Sequence, residues 1–486
     1  MMTNNTTSEV VKIRRKVYLK LVDLVLKDSL QDKIEEIPKK TANKETPRYR
    51  CCEFKERAIL KDRIKLAMGF NPRDYPETKL ADLPQKTPEM AEGFNAVQVL
   101  DLACDRCPID KYMVTNACRN CVAHKCVNTC PKDAIVIIQN RAYIDQNKCI
   151  ECGLCATECP YDAIHENNRP CVRACQVDAI QSDKNRKAEI TSDKCVNCGS
   201  CINACPFGAI DYISYIVQVL EQLRDPEVEV AALIAPSFTG QFGTKVSPGT
   251  VKAALKKIGF DQVIEVAMGA DMVVQEESEE FIEEMKSGAE YMTSSCCPGF
   301  KDLVRRHYPH LNEHVSSTPS PMIKTAEHIK QDNPGINTVF IGPCVAKKTE
   351  AAEYNKIDYV LTFEELLIIM IGCGLNLEEM KEEESFEDAS LLGRSFPYSG
   401  GVSEAISKYI KRRYDDINYN IVAGKGLKEC QEKLDLIDSE DAEFNFLEGM
   451  ACKEGCVGGP GNLIKPIVAK KLADNFAQKA DTDIPG

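Results

Sequence analysis

Four cysteines in three separated blocks of the sequence could hold one metal cluster. Cys297, Cys344, Cys452 and Cys456 lie in the blocks TSSCCPGF, GPCVAKKTE and EGMACKEGCVGG. Cysteine thiolates are the usual ligands of iron-sulfur clusters, and thiolates this far apart meet only where a folded domain brings three loops together. The sequence therefore predicts a buried cluster inside an enzyme domain.

A second set of 16 cysteines, between residues 97 and 212, has the local spacing of ferredoxins. In the bacterial pattern C-x₂-C-x₂-C-x₃-C-P, three thiolates on a tight loop bind one cubane and the fourth binds the neighbouring cluster. Two runs match it completely: Cys149, Cys152, Cys155 and Cys159-Pro160, then Cys195, Cys198, Cys201 and Cys205-Pro206. This spacing is typical of metal ligands and not of a disulfide framework.

The remaining cysteines of this region allow four cubanes to be assigned. The first complete run pairs with a variant run, Cys118, Cys121, Cys126 and Cys130-Pro131. The second complete run pairs with the irregular segment RPCVRACQVDAI together with the C-x-x-C of ACDRC. Zinc or no metal at Cys104 and Cys107 is the alternative. The predicted sets are Cys118, Cys121, Cys126 and Cys159; Cys130, Cys149, Cys152 and Cys155; Cys175, Cys195, Cys198 and Cys201; and Cys104, Cys107, Cys171 and Cys205.

Five cysteines lie outside all of these sets. Cys373 and Cys430 follow apolar helical patterns and are predicted to be inert core residues. The neighbours Cys51 and Cys52 are interpreted as a buried or incidental pair in preference to a redox or metal site. Cys296 directly precedes a predicted ligand and is surplus to it.

Periodicity and composition indicate the elements that must position these ligands. Helical patterns between residues 10 and 68 precede a proline-rich linker, and the cysteine-rich region then gives way to alternating strands and helices. The predicted fold class is a multidomain α+β and α/β protein. Its predicted parts are a helical N-terminal segment and linker at residues 1–95, tandem ferredoxin-like 4Fe-4S domains at 96–215 and a C-terminal α/β domain at 216–486.

Charge and hydropathy exclude some classes of partner. The net charge of −13 argues against a nucleic-acid-binding protein, because phosphate neutralisation needs clustered Lys and Arg. Residues 1–66 hold 17 Lys plus Arg against 10 Asp plus Glu, so this segment is +7 and the rest −20. Such a basic face could steer an acidic electron carrier, although a solvated helical surface is the plainer interpretation. Without an apolar leader or a membrane-spanning run, we expect a cytoplasmic protein.

From residue 97 to its end, the chain resembles the FeFe hydrogenases. The matching blocks are TSSCCPGF, PCVAKKTE and MACKEGCVGG in that order, with IAPS, TPSPM and YSGGVSEA. In that family, four cysteines hold a 4Fe-4S cluster, and one of them bridges to a diiron unit with carbon monoxide, cyanide and dithiolate ligands. The resemblance implies this H-cluster on Cys297, Cys344, Cys452 and Cys456, with Cys456 as the bridge, in an active site between two lobes.

The resemblance also implies a proton relay. Heterolytic cleavage of dihydrogen needs a base and a path that moves the proton to water. By position, Cys296 is the first relay thiol, Glu277 and Glu280 are relay carboxylates three residues apart on one helix face, and Ser316 links them. A solvated helix face is the alternative interpretation of the acidic run QEESEEFIEEM.

Further residues are implied to contact the diiron unit. Lys347, oriented by Glu350, is similar to the lysine that binds one cyanide, a charge-assisted contact, and Ser237 after Ala235 and Pro236 is similar to residues at the other. The matched motifs add to the predicted cofactor contacts Pro321, Met322, Gly400, Gly401 and Met450.

Several positions depart from the better-known members of the family. Gly342 stands where a methionine usually precedes Pro-Cys, Met322 replaces a glutamine, and Phe300 replaces a tryptophan. These departures indicate a divergent subgroup. We expect Gly342 to open space in the pocket and to change catalytic bias or the response to oxygen.

The resulting prediction is an oxygen-sensitive hydrogenase that interconverts dihydrogen with protons and electrons. We expect ferredoxin or a similar acidic carrier as its electron partner, about four accessory 4Fe-4S clusters, and dependence on hydrogenase maturation proteins. The alternatives are a hydrogen sensor of the same fold, and an iron-sulfur assembly or electron-transfer protein that lacks the diiron unit.

Overall fold

The N-terminal segment is helical, as its periodicity predicts. The computed structural model describes residues 7–88, 94–105, 107–108, 110–185, 187–382, 386, 389–414 and 419–483. The first helix begins after Ser8, whose side chain accepts a hydrogen bond from the backbone N–H of Val11. The helices of this segment are α1 (Glu9–Leu26), α2 (Leu30–Lys33), α3 (Ile37–Thr41) and α4 (Glu53–Ala67), with 3₁₀ turns at Ile34–Glu36 and Leu80–Gln85.

This segment shares its core with the C-terminal domain. Val17, Leu21 and Val22 on one face of α1 are fully buried, in the same apolar cluster as residues of the C-terminal sheet. Arg14 is also buried and pairs with Asp211 at 2.6 Å. Part of the positive charge of residues 1–66 therefore lies inside the molecule, and the interpretation of this segment as a solvated helical surface does not hold for Arg14, Arg63 and Lys65, which are buried.

The proline-rich stretch at residues 71–90 packs against the protein over its described part. Leu80 and Leu83 of its 3₁₀ turn are 1% and 0% exposed. The side chain of Glu35 accepts a hydrogen bond from the backbone N–H of Leu80 at 2.7 Å. The stretch therefore contributes to the core and is more than a flexible connection.

The cysteine-rich region consists of short antiparallel strand pairs. β2 pairs with β5, β3 with β4, β6 with β7, and β1 with β8, so that the first and last strands close the region. Its elements are β1 (Val97–Val99), β2 (Tyr112–Val114), α5 (Lys125–Asn128), β3 (Ile135–Ile138), β4 (Arg141–Ile144), α6 (Leu154–Thr157), β5 (Ile164–Glu166), α7 (Pro170–Ala174), β6 (Ile180–Ser182), β7 (Ala188–Ile190), α8 (Ser200–Ala204) and β8 (Ile210–Tyr212).

The C-terminal domain has the predicted α/β alternation. Its strands and helices are α9 (Ile216–Arg224), β9 (Val230–Ile234), α10 (Pro248–Lys257), β10 (Gln262–Glu265), α11 (Ala267–Ser287), β11 (Met292–Thr293), α12 (Pro298–His307), α13 (Pro321–Asp332), β12 (Asn337–Gly342), α14 (Lys347–Tyr354), β13 (Tyr359–Thr362), α15 (Phe363–Gly372), α16 (Leu391–Arg394), α17 (Gly401–Arg413), β14 (Ile421–Lys425), α18 (Leu427–Asp438), β15 (Phe446–Met450) and α19 (Pro466–Ala477). The 3₁₀ turns lie at Pro236–Phe238, Pro309–His314 and Gly455–Gly458.

Two parallel sheets form two lobes of this domain. The first has the strand order β10-β9-β12-β13, and the second has the order β11-β15-β14. Buried parallel strands have continuous apolar sequences, as in VAALI of β9, where every residue is buried. In such sheets, functional loops follow the carboxyl ends of the strands. The three blocks that hold the distant cysteines follow β11, β12 and β15.

In the part of the chain that the structure describes, no helix combines the length and the apolar character needed to cross a membrane.

Candidate active site

The four distant cysteines lie in loops at the carboxyl ends of three strands. Cys297 caps the N-terminus of α12, Cys344 follows β12, Cys452 follows β15 and Cys456 lies in the 3₁₀ turn Gly455–Gly458. Burial, together with the neighbouring Cys297 and Cys456, raises the pKa of Cys344 to about 12. Burial and the other three thiols raise the pKa of Cys452 well above its ordinary value. The fold therefore brings four half-buried thiols from both lobes close together, in what we call the pocket.

The spacing of the thiols is wider than that of ligands to one ion. Among the described residues, no three Cys, His, Asp or Glu side chains lie close enough together to hold a single metal ion. In a cubane, each sulfur binds a different iron atom, so the ligands stand further apart. A donor set of four cysteines suits such a cluster.

Glu277 lies on the buried face of α11 and is fully buried. Its Oε1 accepts a hydrogen bond from the backbone N–H of Ser295 at 3.0 Å, whereas its Oε2 has no partner among the described residues. Burial raises the pKa of Glu277 to about 8, because a charged carboxylate is poorly solvated there. The interpretation of this helix face as solvated is therefore wrong for Glu277.

Glu280 lies one turn further along α11 and is half-buried. The Ser316 hydroxyl donates to Oε2 of Glu280 at 2.6 Å, and the backbone N–H of Ser317 donates to Oε1 at 2.6 Å. Burial acts to raise the pKa of Glu280, but these hydrogen bonds and that of Thr318 outweigh it and lower the pKa. A neutral Glu277 therefore lies beside an ionised Glu280, and Ser316 is close enough to influence the pKa of both.

Cys296 is buried in an apolar cluster that also contains Met450. Burial, and then the proximity of Glu277, raise the pKa of the Cys296 thiol well above its ordinary value. The thiol therefore stays protonated and lies close enough to both Cys297 and Glu277 for each to influence its pKa.

Lys347 begins α14 and points its Nζ into the pocket region. Nζ donates to Oε2 of Glu350 at 2.6 Å, to the Ser320 hydroxyl at 2.8 Å and to the backbone carbonyl of Cys296 at 3.3 Å. Burial acts to lower the pKa of Lys347, but the carboxylate of Glu350, together with the neighbouring Cys344 and Cys296, outweighs burial and raises it. The buried ammonium is therefore charged and held in a fixed position.

The other predicted cofactor contacts lie around the same strand ends. Ala235, Pro236 and Ser237 follow β9, and the Ser237 hydroxyl is buried without a hydrogen-bond partner among the described residues. Pro321 and Met322 begin α13, where Met322 is 1% exposed. An unpartnered buried hydroxyl is costly, and it fits an acceptor ligand at this position.

Gly400 and Gly401 have structural roles at the start of α17. The backbone N–H of Gly400 donates to Oε1 of Glu448 at 2.8 Å, and a side chain at position 401 would collide with the carbonyl of Ser395. Their contact with a cofactor stays a prediction.

The prediction that Gly342 opens space in the pocket is wrong. A Cβ atom at position 342 would lie 2.6 Å from the Phe340 ring and 3.1 Å from Cβ of Ala235. The ring therefore fills the volume that a side chain at 342 would occupy.

Two buried polar residues near the pocket were missed by sequence reasoning. Ser320, within the matched TPSPM block, contacts Lys347. Glu448 is fully buried on β15, two residues before Met450, and accepts hydrogen bonds from the backbone of Gly400 and Ser403. A charged residue in an otherwise apolar strand was the available signal.

The accessory cysteines of the first pair gather around two small cavities. One cavity is lined by Cys118, Cys121, Cys126 and Cys159, with His124 also in its wall. The other is lined by Cys130, Cys149, Cys152 and Cys155. These are the two sets that the ferredoxin crossover predicts, although their occupancy by clusters stays a prediction.

For the accessory cysteines of the second pair of clusters, their effects on one another's pKa show which of them lie close together. Burial, followed by the neighbouring Cys205, Cys107 and Cys104, raises the pKa of Cys171 to about 11. Burial, with Cys198 and Cys175 nearby, raises the pKa of Cys195 to about 11. Of the irregular half-motif, Cys171 thus lies with the spare C-x-x-C pair and Cys175 with the second complete run, as the assignment requires.

Four half-motifs share one backbone geometry, including the one without proline. In each, the third residue after the cysteine has a positive φ, and the backbone N–H of the following alanine donates to that cysteine's sulfur. The φ values are 46° at Asp133, 48° at Asp162, 48° at Asp178 and 56° at Gly208. The N to Sγ distances are 3.3 Å at Cys130, 3.3 Å at Cys159, 3.2 Å at Cys175 and 3.3 Å at Cys205. Cys175 therefore belongs to this repeat despite its divergent sequence.

The second pair adjoins the active-site pocket. Cys297 lies close enough to Cys198 to raise its pKa. Cys198 in turn lies close enough to Cys452 to raise the pKa of Cys452. Of the cysteines outside the sets, Cys430 is fully buried as predicted. Cys373 is half-buried and packs against the edge of the core, whereas Cys51 is exposed and Cys52 half-buried, so that pair is not buried.

Three stretches of the chain match known protein families. Residues 228–460 match the C-terminal domain of the iron-only hydrogenase large subunit. Residues 142–165 match a 4Fe-4S binding domain, and residues 165–216 match the LdpA Fe-S cluster-binding domain. The C-terminal domain thus matches one family, and parts of the cysteine-rich region match two others.

Among curated proteins, the chain is similar to two hydrogenases. It is 29% identical to the periplasmic iron hydrogenase large subunit of Nitratidesulfovibrio vulgaris, covering 68% of this chain and 88% of the relative. It is also 29% identical to iron hydrogenase 1 of Clostridium pasteurianum, covering 68% and 67%. A weaker similarity, 21% identity over 51% of this chain and 63% of the relative, is to a probable cytosolic Fe-S cluster assembly factor of Drosophila mojavensis.

Among solved structures, an apo FeFe hydrogenase variant from Chlamydomonas reinhardtii matches 55% of this chain and 89% of its own, with 21% identity and a TM-score of 0.46.

Proposed function

Since the chain is an FeFe hydrogenase-like protein, we propose that it catalyses the interconversion of dihydrogen with protons and electrons. The proposed active site is the pocket with Cys297, Cys344, Cys452 and Cys456. The observation that carries the proposal is the free thiol of Cys296 beside the ligand Cys297 and the buried carboxyl group of Glu277. An electron carrier has no use for such a proton path.

The residues of the pocket fit the group that the family implies. The four cysteines would hold the cubane, and Cys456 would bridge to the diiron unit. Bound there, the H-cluster would supply the site at which dihydrogen is split or formed. Lys347, with its charge preserved by Glu350, and the unpartnered Ser237 hydroxyl would bind the cyanide ligands.

The hydrogen bonds of Lys347 indicate how its ammonium group would bind an anionic ligand. An ammonium group has three N–H donors, and all three have partners in Glu350, Ser320 and the Cys296 carbonyl. The bond to the Cys296 carbonyl is the longest, at 3.3 Å. Binding of an anionic ligand would therefore replace this bond and retain the shorter ion pair with Glu350.

Protons would move from Cys296 to Glu277, then through the Ser316 hydroxyl to Glu280 and water. A pKa of about 8 lets Glu277 both accept and release a proton near neutral pH. Glu280, with its lowered pKa, stabilises the proton less, so a proton that reaches it passes on to solvent. The same residues would act in reverse order when dihydrogen is formed.

Electrons would reach the pocket through the accessory clusters. The set of Cys175, Cys195, Cys198 and Cys201 adjoins the pocket through Cys198 and would pass electrons to it. We propose ferredoxin or a similar acidic protein as the carrier, maturation proteins as the source of the diiron unit, and the cytoplasm as the location.

A second candidate function is iron-sulfur cluster assembly, favoured by the similarity to the probable assembly factor. Such a protein would hold cubanes without a diiron unit. The two functions differ in their need for Cys296 and Glu277, which a hydrogenase uses in every turnover and an assembly factor does not.

The test is an assay of dihydrogen formation with the anaerobically purified, maturated protein and a reduced dye. We expect turnover that depends on maturation. No turnover from protein that carries all of its cubanes and has been exposed to a synthetic diiron unit would contradict the proposal and favour assembly.

A further inference from the structure

Two neighbouring cysteines outside the cluster sets lie at the protein surface. Cys51 is exposed and Cys52 is partly exposed, so solvent reaches both thiols. Their sulfur atoms lie 3.7 Å apart, and the thiol of Cys51 donates to the sulfur of Cys52. Because the sulfurs of a disulfide are about 2.0 Å apart, a shift of less than about 2 Å separates this pair from a disulfide. The pair is therefore accessible and close to the geometry needed for oxidation.

The position of Cys52 at the start of α4 favours its thiolate. Cys52 is the N-cap residue of this helix of 15 residues. Hydrogen bonds from the backbone N–H of Lys55 and then from the Cys51 thiol lower the pKa of Cys52, and the charge of Arg48 acts in the same direction. The thiolate is the nucleophile of disulfide exchange, and cysteines at helix N-termini or next to cations are typically reactive. Cys52 therefore has the character of an attacking thiol, with a second thiol within reach of its sulfur.

Contacts before and after the pair hold it in place. The carboxylate of Glu56 accepts hydrogen bonds from the backbone N–H groups of Tyr49 and Arg50, at 2.5 and 2.9 Å. The guanidinium of Arg50 donates to the carbonyls of Ala103 and Phe207, at 3.2 and 3.1 Å. These carbonyls lie in the loops ACDRC and CPFGA, which supply cysteines to the last of the four predicted cluster sets. The two thiols are therefore held together beside these loops.

We propose that Cys51 and Cys52 form a thiol–disulfide exchange site for small-molecule disulfides, with Cys52 as the attacking thiol and Cys51 as the resolving thiol. The thiolate of Cys52 attacks one sulfur of the disulfide, whose S–S bond breaks and releases the first small thiolate. Cys51 then loses its proton to water and attacks the sulfur of Cys52, which releases the second small thiolate.

The exchange balances in atoms and electrons. Two protein thiols and one small disulfide become one protein disulfide and two small thiols, and two electrons pass from the protein to the small disulfide. The two released thiolates take up the two protons that the cysteines lose. The site therefore needs no oxidant besides the small disulfide itself.

The protein disulfide formed in this way should be easily reduced again. Adjacent Cα atoms are about 3.8 Å apart, which is closer than the ~4.4 to 6.8 Å that is usual for disulfide-bonded cysteines. A strained and exposed disulfide has a more oxidising potential than a structural one. The oxidation state of the pair therefore follows the ratio of small disulfide to small thiol around the protein.

Peptide mapping tests the site on the anaerobically purified protein with its iron-sulfur clusters. The probe is glutathione disulfide, free thiols are then blocked with iodoacetamide, and cleavage by trypsin after Arg50 and Lys55 releases both cysteines in the peptide CCEFK. In the wild type, mass spectrometry should find this peptide unblocked, without glutathione and lighter by two hydrogens than the dithiol. Cys373→Ser, which removes a half-buried lone cysteine, is the matched control and should give the same result. A blocked dithiol peptide in the wild type would overturn the proposal.

Two single variants test the order of the steps. Cys51→Ser should retain glutathione on Cys52, because no resolving thiol remains. Cys52→Ser should react at Cys51 about tenfold more slowly than Cys51→Ser reacts at Cys52. Equal rates in the two variants would contradict the assignment of the attacking thiol, and glutathione retained on both cysteines of the wild type would overturn the exchange site.

Reversal of the exchange is the last measurement. Excess reduced glutathione should return the oxidised wild-type peptide to the dithiol. A peptide disulfide that persists in excess thiol would contradict a reversible exchange site. All of these measurements are made without dihydrogen turnover, so their results do not depend on the proposed function.

Discussion

The two iron-sulfur regions of this protein obtain their ligands in different ways. In the accessory region, most ligands come from short cysteine runs. In four of these runs, the third residue after the last cysteine has a positive φ, and the N–H of the next alanine donates to the sulfur of that cysteine. In the pocket, the ligands come from both lobes and from three strand ends. A local motif is enough to form a cubane site, whereas the pocket depends on the whole α/β domain.

The second difference concerns the surroundings of the sulfurs. The sulfurs themselves do not differ in burial, since accessory cysteines range from exposed Cys152 to buried Cys171 and the pocket ligands are half-buried, but the pocket thiols lie near the buried charged groups of Lys347 and Glu277. Electron transfer needs only proximity and a suitable potential, but proton chemistry needs a dry site with groups of matched pKa. The accessory sets therefore suit electron transfer, and the pocket suits catalysis.

Removal of one ligand in each region should give the largest contrast. Cys344→Ala should abolish dihydrogen turnover to background, because the cubane of the pocket is lost. Cys152→Ala should remove at most one accessory cubane and leave most of the activity with a dye as the electron partner. Iron analysis is the measurement, with roughly 22 irons expected for the complete protein from four cubanes and six irons in the pocket. Equal loss of activity in both variants would break the distinction between the regions.

The relay thiol should give the next largest effect. Cys296→Ala should lower turnover by a factor of about 10³ to 10⁴, because the first proton transfer loses its carrier. Cys430→Ala is the matched control, since Cys430 is also a fully buried non-ligand. Steady-state dihydrogen formation is the measurement, and the same rate in both variants would reject the relay assignment.

Glu277→Gln should lower turnover by a factor of about 10² to 10³ and remove a pH dependence of stability. A carboxyl pKa that rises from 4.5 to about 8 on folding stabilises the protein at low pH, and this stabilisation is lost as pH rises through that window. As pH rises from about 5 to about 8, the thermal midpoint of the wild type should therefore fall relative to that of the variant. Above about pH 8, the difference between the two midpoints should stay constant.

The comparison of these unfolding midpoints is made on protein with its clusters, at matched ionic strength. A constant difference between variant and wild type across this pH range would contradict the raised pKa.

The smallest effect is expected at the link between the carboxylates. Ser316→Ala should lower turnover about tenfold, equivalent to about 1.4 kcal/mol in the barrier, because Glu280 loses its shortest hydroxyl donor. It should also raise the pKa of Glu280 towards its ordinary value. Ser287→Ala, at the exposed end of α11, is the control and should leave turnover unchanged. A pH–rate profile that is the same for both variants would show that protons bypass Ser316.

The same contrast explains how much the sequence could predict. The cysteine spacing predicted the accessory sets, since local geometry follows from local sequence, and strand and helix periodicity predicted the α/β alternation. Contacts across the fold were harder to predict. The filling of the Gly342 site by Phe340 and the burial of Arg14 against Asp211 depend on side-chain packing, which residue types alone do not specify.

The role of Glu448 was invisible for the same reason. Its side chain accepts bonds from the start of α17, a helix that is almost 50 residues away in sequence. Only the fold brings these backbone donors to it.

The most direct test of the central claim is an infrared spectrum of the anaerobically maturated protein. If the pocket of Cys297, Cys344, Cys452 and Cys456 holds an H-cluster, sharp stretching bands of carbon monoxide and cyanide ligands should appear, persist in Cys296→Ala and vanish in Cys344→Ala. A maturated protein with all of its cubanes but without these bands would contradict the account.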